Sequence, residues 1–509
     1  MMRRFSFLVY PILAWLAACD AFSACKPQDG REGTAHETRF DALGAPSARI
    51  LWVSDLKAQL EPCGCTSRPL GGVDRLVQAI EEARSSAPSA LIFSGRVFSD
   101  GTPPSPETEV QKRLERDAIA KAIEATRPDL IASAPPNDPL EEDALGDRPI
   151  EGVFSKKLGE LELVFVYGIT VGPDRIDEVA EAHPERAALI VVHSGSRSEA
   201  STLAQHPAVD FVLYASGEDE FGPPRSIGGG QLLQAGDRGQ RLLVLDLYVP
   251  EEAARGRENA SFHDESPITK AARRRSLEAR AEDLRRRIAQ WMESGRYSEE
   301  ALEEPRSRLR ALEEEARSID ERPRIEGKRA FIARLVEIAP SIEAARAIKA
   351  MMRAHDRAVN QANAVAFANA PPIAVPEGSP SYIGSSACAS CHAEAYAWWK
   401  KHRHGRAYQT LVDRHKEFSM SCFQCHVTGY GQPGGATITF NLGGELKNVG
   451  CESCHGPGEF HARSPLEFKS TMIRSPEERL CRNCHDAEHS DQFDFEIYRS
   501  RLLVPGHGL

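Results

Sequence analysis

The sequence predicts a multidomain protein in which an α/β layered domain is followed by an α-helical connector and by a domain rich in cysteine and histidine. Apolar runs alternate with helix-like stretches over residues 48–250, apolar residues recur at helical spacing over 267–369, and eight of the 12 cysteines lie after residue 387. With 509 residues, 41% apolar and 27% charged, the chain has the composition of about two to four folded domains. Its formal net charge is -11, whereas proteins that bind nucleic acid are typically basic. Nucleic acid is therefore not expected as a partner.

The amino terminus has the features of an export signal. A basic pair, Arg3 and Arg4, precedes an apolar stretch that is too short to span a bilayer, so residues 1–18 are predicted to be a signal peptide. The stretch ends in Leu-Ala-Ala-Cys19, which resembles a bacterial lipobox and implies lipidation of Cys19 after cleavage. The alternative is an ordinary secretory signal in which Cys19 has no role. Residues 19–47 are polar and are interpreted as a tether.

Four C-x-x-C-H motifs lie in the last part of the chain. In this spacing two thiols one helical turn apart can add to the two vinyl groups of a haem, and the adjacent imidazole then reaches the iron. Zinc ribbons and disulfides also use paired cysteines, but neither requires a histidine directly after each second cysteine. The motifs therefore predict four covalently attached c-type haems, with the motif histidines as proximal iron ligands. They are Cys388-Ala-Ser-Cys391-His392, Cys422-Phe-Gln-Cys425-His426, Cys451-Glu-Ser-Cys454-His455 and Cys481-Arg-Asn-Cys484-His485.

Histidines outside the motifs supply candidates for the sixth position of each iron. Low-spin iron with two axial histidines has no site for a substrate, so it serves electron transfer. For any single histidine the alternative is a surface residue or a partner of a haem propionate. The candidates are His402, His404, His415, His461, His489 and His507.

The residues from Tyr382 to His507 resemble the cytochrome c-554 family of tetrahaem cytochromes. The resemblance implies a mostly α-helical domain over 381–509 with little regular sheet, which relays electrons between periplasmic redox proteins. By motif position, it also implies His404, His461 and His507 as distal iron ligands. Some relatives keep one haem five-coordinate, so a reactive iron remains an alternative. The segments that carry the resemblance are Trp399-Lys-Lys-His-Arg-His404, Cys425-His426-Val-Thr-Gly-Tyr430, and Asn448-Val-Gly-Cys451 through His455-Gly-Pro-Gly458.

The residues from 48 to 250 predict the α/β layered domain. Apolar runs of strand length alternate there with helix-like stretches such as 72–85 and 106–126, which is the pattern of strands and covering helices. The runs begin at Arg49, Ala90, Leu161, Ala188, Phe211 and Arg241.

The order and endings of these runs resemble the calcineurin-like metallophosphoesterase family, in its 5'-nucleotidase branch. Active members build a two-metal centre that activates water and holds the phosphoryl group. Here Lys57 replaces the first histidine and Arg96 replaces an aspartate, so only Asp55 and His193 remain as ligand candidates. Two residues cannot hold two metals, and the domain is interpreted as a degenerate, non-catalytic scaffold. The resemblance is carried by Leu51-Trp-Val-Ser-Asp55-Leu-Lys57, Ser94-Gly95-Arg96, Val191-Val-His193-Ser-Gly195 and Val209 through Gly217.

A second pair of thiols, Cys63 and Cys65, follows the first strand of this domain. Two thiols this close together could bind a metal, form a disulfide, carry out redox chemistry or remain free. Cys25, in the tether, could pair with one of them. The sequence leaves these alternatives open.

Residues 251–370 are predicted to form the α-helical connector. Apolar residues recur by three, four and seven on both sides of Ser294, which predicts an antiparallel helical hairpin that mediates dimerisation or spaces the domains. Two further helices are predicted over 327–338 and 341–368, the second with Ser341 as its N-cap. Residues 371–380 are rich in proline and are interpreted as a hinge. The hairpin seam comprises Leu277, Leu284, Ile288, Trp291, Leu302, Leu309, Leu312, Ala316 and Ile319.

These features predict an exported, lipid-anchored tetrahaem c-type cytochrome that transfers electrons at the cell envelope of a Gram-negative bacterium. The α/β domain is expected to be a docking or sensing module, the partners are expected to be periplasmic or membrane redox proteins, and the N-terminal lipid is expected to hold the chain on the membrane. Two enzymatic alternatives remain. One is an open haem that acts on nitrogen or sulfur oxyanions, and the other is residual 5'-nucleotidase-like phosphohydrolase activity.

Overall fold

The first sheet of the α/β domain has six strands around a parallel centre. The computed structural model describes residues 44–62, 67–133, 138–250, 261–320, 322–325, 327–438, 444–486 and 489–503. Strands β1 (Ala48–Ser54), β2 (Ser89–Gly95) and β3 (Leu130–Ser133) are parallel neighbours. On the other side of β1 lies β10 (Arg241–Tyr248), which is antiparallel to β1 and also to its next neighbour β12 (Ala330–Glu337), and β11 (His263–Asp264) completes the order β11-β12-β10-β1-β2-β3.

The second sheet also has six strands. Its parallel part is formed by β5 (Leu161–Gly168), β6 (Ala188–His193), β7 (Phe211–Tyr214) and β9 (Gly230–Leu233). The antiparallel strands β4 (Gly152–Leu158) and β8 (Arg225–Ile227) lie at the edges, and the order is β4-β5-β6-β7-β9-β8. Every residue of β6 and β7 is buried, which explains why these strands read as unbroken apolar runs.

The two sheets pack face to face between two layers of helices. Ile50 and Trp52 of β1 point into the core between the sheets, whereas Leu51 and Val53 pack against helices on the outer face. That face is covered by α1 (Val73–Ser85), α2 (Glu109–Ala125) and the short α3 (Pro139–Leu145), and the second sheet is covered by α4 (Pro173–Ala182) and α5 (Arg197–Ala204). The predicted α/β layered fold is confirmed.

The connector contains the predicted helical hairpin. Helix α6 (Pro267–Ser294) ends at Gly295, which has a φ of 62° and caps the helix, and α7 (Glu299–Ser318) begins after Ser298, whose hydroxyl accepts a hydrogen bond from the N–H of Ala301. The seam packs Leu277 and Ala281 of α6 against Leu312 and Ala316 of α7.

The helix predicted over residues 327–338 is wrong, because this segment is strand β12. Phe331 and Ala333 enter the core between the sheets, while Val336 packs on the opposite face, so the side chains alternate with the period of a strand. The next predicted helix does form, as α8 (Arg346–Ala366), but its N-cap is Ala345 rather than Ser341. The connector thus supplies a strand and a helix to the α/β domain.

The C-terminal domain is built from short helices around a small core. Among the residues that the structure describes here, regular sheet is limited to one bridge between Val427 and Lys447, so the predicted mostly helical domain is confirmed. Its core contains Tyr408, Phe423 and Leu446. The helices are α9 (Ser385–Cys388), α10 (Ala393–Lys401), α11 (Ala407–Val412), α12 (Met420–His426), α13 (Cys451–His455), α14 (Glu459–Arg463), α15 (Glu478–Arg482) and α16 (Phe495–Ser500).

Helix α8 connects the cores of the two domains. Ile348 and Met352 in its first half pack into the core of the α/β domain, and Phe367 at its end packs against the core of the C-terminal domain. The described residues from Pro46 onward form one compact unit. No helix within the described ranges combines the length and apolar character needed to cross a bilayer.

Candidate haem sites

Each C-x-x-C-H motif adopts a helical turn. Helices α12 and α13 contain the whole of the second and third motifs. In the first and fourth motifs, the N–H of His392 and the N–H of His485 each donate to the carbonyl oxygen of the first motif cysteine, at 2.9 Å. A helical turn places cysteines three residues apart on one side of the backbone, which is the arrangement that two thioether bonds to one porphyrin require.

The motifs converge on one cavity of about 2460 Å³, here called the haem cavity. Its wall includes all four motif histidines and seven of the eight motif cysteines, the exception being the exposed Cys391. A pocket for one drug-sized ligand has a volume of roughly 300–1,000 Å³, so the haem cavity has room for several such molecules. The volume and the wall both fit the predicted haems.

Backbone carbonyl groups orient two of the motif imidazoles. Nδ1 of His426 lies 2.7 Å from the carbonyl oxygen of Ala407, and Nδ1 of His455 lies 2.6 Å from that of Ile473. Each contact has the geometry of an Nδ1–H donor, so Nε2 is the ring nitrogen that carries the lone pair. Metal-bound histidines are usually held in this way by a second hydrogen bond. These two rings are therefore arranged to bind iron through Nε2.

Two histidines from outside the motifs stand opposite motif histidines. The ring centroids of His392 and His461 are 6.5 Å apart, and those of His404 and His485 are 6.2 Å apart. With metal–nitrogen bonds of about 2.0–2.1 Å and about 1 Å from nitrogen to ring centre, two axial imidazoles have centroids roughly 6 Å apart. Nδ1 of His461 is buried and has no hydrogen-bond partner within the described ranges. Both pairs fit an iron between their rings.

The other histidine candidates are placed differently. His402 stacks on Trp398 with ring centroids 4.5 Å apart, and its Nδ1 accepts a hydrogen bond from the backbone N–H of His404. His489 is bound to Asp486, at 2.8 Å between Nδ1 and Oδ1. Cys19, Cys25, Cys63, Cys65 and His507 lie outside the described residues.

Thiols of different motifs meet in pairs. The Cys388 thiol is hydrogen-bonded to that of Cys451, and this contact raises the pKa of Cys388 and lowers that of Cys451. Cys425 and Cys484 form a similar pair. The first motif therefore neighbours the third, and the second neighbours the fourth, while Cys454 of the third motif also lies near Cys481 and Cys484 of the fourth.

The wall of the haem cavity is cationic although its domain is not. Residues 381–509 contain 14 Lys and Arg and 14 Asp and Glu, whereas the cavity wall carries ten Lys and Arg against five Asp and Glu. Four haems bring up to eight propionate carboxylates, for which an excess of positive charge provides partners. The electrostatics of the cavity thus fit the same cofactor.

A buried carboxylate missed at the sequence level holds the third motif in place. Glu452, between the two cysteines of that motif, is only 2% exposed. It accepts hydrogen bonds from the backbone N–H groups of Ile383 (3.0 Å), Gly384 (2.7 Å) and Gly458 (2.7 Å). This acid ties the segment before the first motif to the Gly-Pro-Gly turn before His461. No local spacing signals such a role, because its partners are backbone groups.

The α/β domain has a cluster of charged residues, here called the mouth, at the carboxyl ends of β1 and β2. Lys57 Nζ lies 2.7 Å from Asp237 Oδ2, and Arg96 lies 3.2 Å from Asp138. Asp55 accepts hydrogen bonds from the backbone N–H of Arg96 and from that of Gly217, each at 3.0 Å. The acids of the mouth are therefore matched by cationic side chains and backbone donors.

His193 is the second residue, after Asp55, that the sequence leaves as a ligand candidate at the mouth. No group of three or more His, Cys, Asp or Glu side chains in the described part of the chain could hold a metal ion. His193 is 1% exposed, both of its ring nitrogens lack hydrogen-bond partners there, and burial lowers its pKa. Gly95 has a φ of 76°, and a Cβ at this position would lie 2.3 Å from Asp55 Oδ1, so the backbone of the mouth still requires glycine.

Fold and site together define the class of protein. The C-terminal domain carries four C-x-x-C-H motifs and is similar to multihaem c-type cytochromes, and it is joined to an α/β layered domain. Residues 387–456 match the family described as cytochrome c554 and c-prime. Cytochrome c-554 of Nitrosomonas europaea is 33% identical over 124 residues, which is 21% of this chain and 52% of that protein. The chain therefore spans about half the length of this curated relative.

The chain also has some similarity to solved structures. Thermus thermophilus sulfate thiohydrolase SoxB aligns with a TM-score of 0.38 and 11% identity over 61% of this chain and 60% of that chain. A 5'-nucleotidase precursor from Thermus thermophilus aligns with a TM-score of 0.36 and 11% identity over 70% and 67% of the two chains.

Proposed function

We propose that this chain is an exported, lipid-anchored tetrahaem c-type cytochrome that transfers electrons at the cell envelope, with an α/β domain that is not catalytic. One observation carries the proposal. All four motif histidines and seven motif cysteines line one cavity, in which His404 and His461 stand opposite motif rings at the separation of axial ligands. Similarity to cytochrome c554 over residues 387–456 supports the same function.

The residues divide into three roles. The eight motif cysteines form the thioether bonds, and the four motif histidines are the proximal ligands. His461 is the distal ligand at the first motif and His404 is the distal ligand at the fourth, while His507 remains a candidate for another. When bound, haem takes up and releases one electron at a time, and the chain fixes its ligands, its spacing and its charge environment.

The mouth supports a non-catalytic α/β domain. Hydrolysis of a phosphoester in this fold requires two bound metals. Lys57 and Arg96 instead place positive charge beside Asp237 and Asp138, and metal binding would have to displace both cations. The domain is a scaffold whose former metal site is neutralised by its own side chains.

Location and partners follow from the same proposal. Covalent attachment of this kind takes place outside the cytoplasm, which agrees with a signal peptide over residues 1–18 and with lipidation of Cys19. The partners are periplasmic or membrane redox proteins. Because haem propionates add negative charge to the protein, association with basic partners weakens as salt rises.

The test is a count of covalent haems in the mature, full-length protein. Expression with a working cytochrome c maturation system should give four haems per chain by pyridine haemochrome assay and by mass spectrometry. Cys391→Ala should lower the count by about one, whereas Ser390→Ala, which changes a spacer position of the same motif, should retain four. A colourless protein that contains zinc would refute the proposal.

A second candidate function is suggested by His426. No histidine ring stands opposite it among the residues that the structure describes, and this part of the cavity is also lined by side chains of the α/β domain. An iron with an open position there could reduce a nitrogen or sulfur oxyanion. A high-spin ferric EPR signal that shifts on addition of nitrite or hydroxylamine would favour this enzyme over a pure electron carrier.

A further inference from the structure

One wall of the haem cavity is made by the α/β domain. Close to the second motif, side chains from the loop after β1 and from helices α2 and α8 complete the cavity. A haem at this motif would therefore be enclosed by both domains. The contributing residues include Glu61, Gln111, Glu115, His355 and Asp356.

Hydrogen bonds fix the second motif against these helices. Gln111 on α2 donates from Nε2 to the hydroxyl oxygen of Ser421 (2.9 Å). Asn363 on α8 donates to Gln111 Oε1 (3.0 Å) and to the carbonyl oxygen of Phe418 (2.8 Å). Gln111 and Asn363 are buried. Because Ser421 directly precedes the first cysteine of the motif, the α/β domain positions this attachment site.

An ion cluster lies beside the same motif. Lys416 Nζ is 2.6 Å from Glu61 Oε2 and 3.5 Å from Asp356 Oδ1. The side chains of Lys416 and Asp356 are 15% and 16% exposed, so solvent and salt screen them weakly, whereas the side chain of Glu61 is 41% exposed and is screened more strongly. Lys416 and Cys422 both line the haem cavity. Two acids of the α/β domain and one lysine of the C-terminal domain thus form a charged group next to a haem attachment site.

We propose that the α/β domain tunes the second haem: Glu61 and Asp356, together with Lys416, set the reduction potential of the haem attached at Cys422 and Cys425. The inference rests on the proposed function, because it requires a haem at this motif. It gives the α/β domain a role in electron transfer that needs no catalytic activity of its own.

The sign of each effect follows from electrostatics. Oxidation of the iron adds one positive charge, so a nearby carboxylate stabilises the ferric state and lowers the reduction potential, whereas an ammonium group raises it. Loss of the Glu61 charge should therefore raise the potential, and loss of the Lys416 charge should lower it. A purely structural effect would move both variants in the same direction, because each substitution breaks the same ion pair.

Other charged and titratable groups face the cluster. They are unchanged in every variant, so at one fixed pH the difference between two variants reports the charge that was removed. These groups are Asp100, Lys112 and Glu115 around α2, His355 on α8, and His415 in the C-terminal domain.

The experiment is a spectroelectrochemical titration of the full-length holoprotein at fixed pH. In Glu61→Gln one of the midpoint potentials should rise, and in Lys416→Met the same potential should fall, while the other haems keep their values. Glu303→Gln removes an acid that is 63% exposed on the helical hairpin, and this control should leave every potential unchanged.

Two results would overturn the proposal: no shift in either variant, or shifts in the same direction. If Lys416→Met does not fold, Asp356→Asn replaces it and should raise the potential as Glu61→Gln does, with a fall or no change counting against the proposal. A wild-type preparation without covalent haem would refute the proposed function instead, so the two failures can be told apart.

Discussion

The imidazole rings of His404 and His485 lie 6.2 Å apart, although His485 belongs to the fourth motif and His404 lies just after the helix that follows the first. Burial, with smaller contributions from His402 and His485, lowers the pKa of His404 to about 4. The ring is therefore neutral at physiological pH, which is the form that binds a metal. One proposed iron would therefore be bound by residues from both ends of the C-terminal domain.

Substitution of His404 should change the reduction potential and the EPR signal of a single haem. In His404→Met a thioether replaces an imidazole, and methionine as an axial ligand raises the reduction potential relative to histidine. One midpoint potential should rise in a redox titration, and the EPR signal of one low-spin bis-histidine haem should change. The matched control is His402→Ala, which removes the neighbouring ring and should leave all four potentials in place. Equal effects of the two variants would rule out His404 as a ligand.

Truncation of Gln111 should loosen the contact between the two domains. Gln111→Ala leaves the buried amide of Asn363 and the partly buried backbone N–H of Met420 without this partner, and unsatisfied buried polar groups cost about 1–3 kcal/mol. The free energy of unfolding of the holoprotein in urea should fall by an amount of this order. Gln78→Ala removes a half-buried glutamine on α1 whose amide only contacts Glu82 in a solvent-exposed hydrogen bond, so this variant should have a much smaller effect. A loss of similar size in both variants would contradict the role of Gln111.

Local chemistry explains how much of this architecture the sequence could predict. The C-x-x-C-H motifs and the apolar runs are local patterns that span only a few residues. The turns predicted to bind haem and the six predicted strands could therefore be recognised from the sequence directly. Strand β12 was missed because Arg334 and Glu337 interrupt its apolar pattern in a connector rich in arginine and glutamate, and Arg334 binds the buried Asp246 only across the sheet, at 2.7 Å. The contacts of Gln111 and Lys416 join residues that are far apart in the chain, and no spacing rule indicates them. The ligand roles of His404, His461 and His507 stay predictions.

Replacement of Lys57 should destabilise the α/β domain without creating activity. In Lys57→Met the carboxylate of Asp237, whose side chain is 5% exposed, loses its closest cation, and breaking a buried ion pair costs about 3–5 kcal/mol. The free energy of unfolding of the domain should fall accordingly.

The double variant Lys57→Met with Asp237→Asn should recover part of that loss, because it removes the unpaired charge. Neither variant nor the wild type should release phosphate from AMP in the presence of Mn²⁺. Release of phosphate by the wild type would instead indicate that the mouth still binds metals.

The stability of the α/β domain should depend on the protonation of Glu141. Burial raises the pKa of this carboxyl from 4.5 to about 7, although the N–H groups of Phe98 (2.7 Å) and Ser99 (3.0 Å) donate to Oε1 and oppose the shift. The folded state therefore holds a proton that the unfolded state releases at lower pH. The stabilising contribution is complete below pH 4.5, falls as the pH rises towards about 7, and is lost above it, a decrease of roughly 3 kcal/mol in total.

Glu141→Gln reproduces the shape of the protonated acid and cannot ionise. Its free energy of unfolding, measured in urea between pH 5 and pH 8, should be less dependent on pH than that of the wild type, and the variant should be the more stable protein at pH 8. Glu142→Gln, at the exposed neighbouring position, should keep the pH dependence of the wild type. If the wild type and Glu141→Gln lose stability in parallel as the pH rises, Glu141 is already ionised in the folded protein and the proton is held elsewhere.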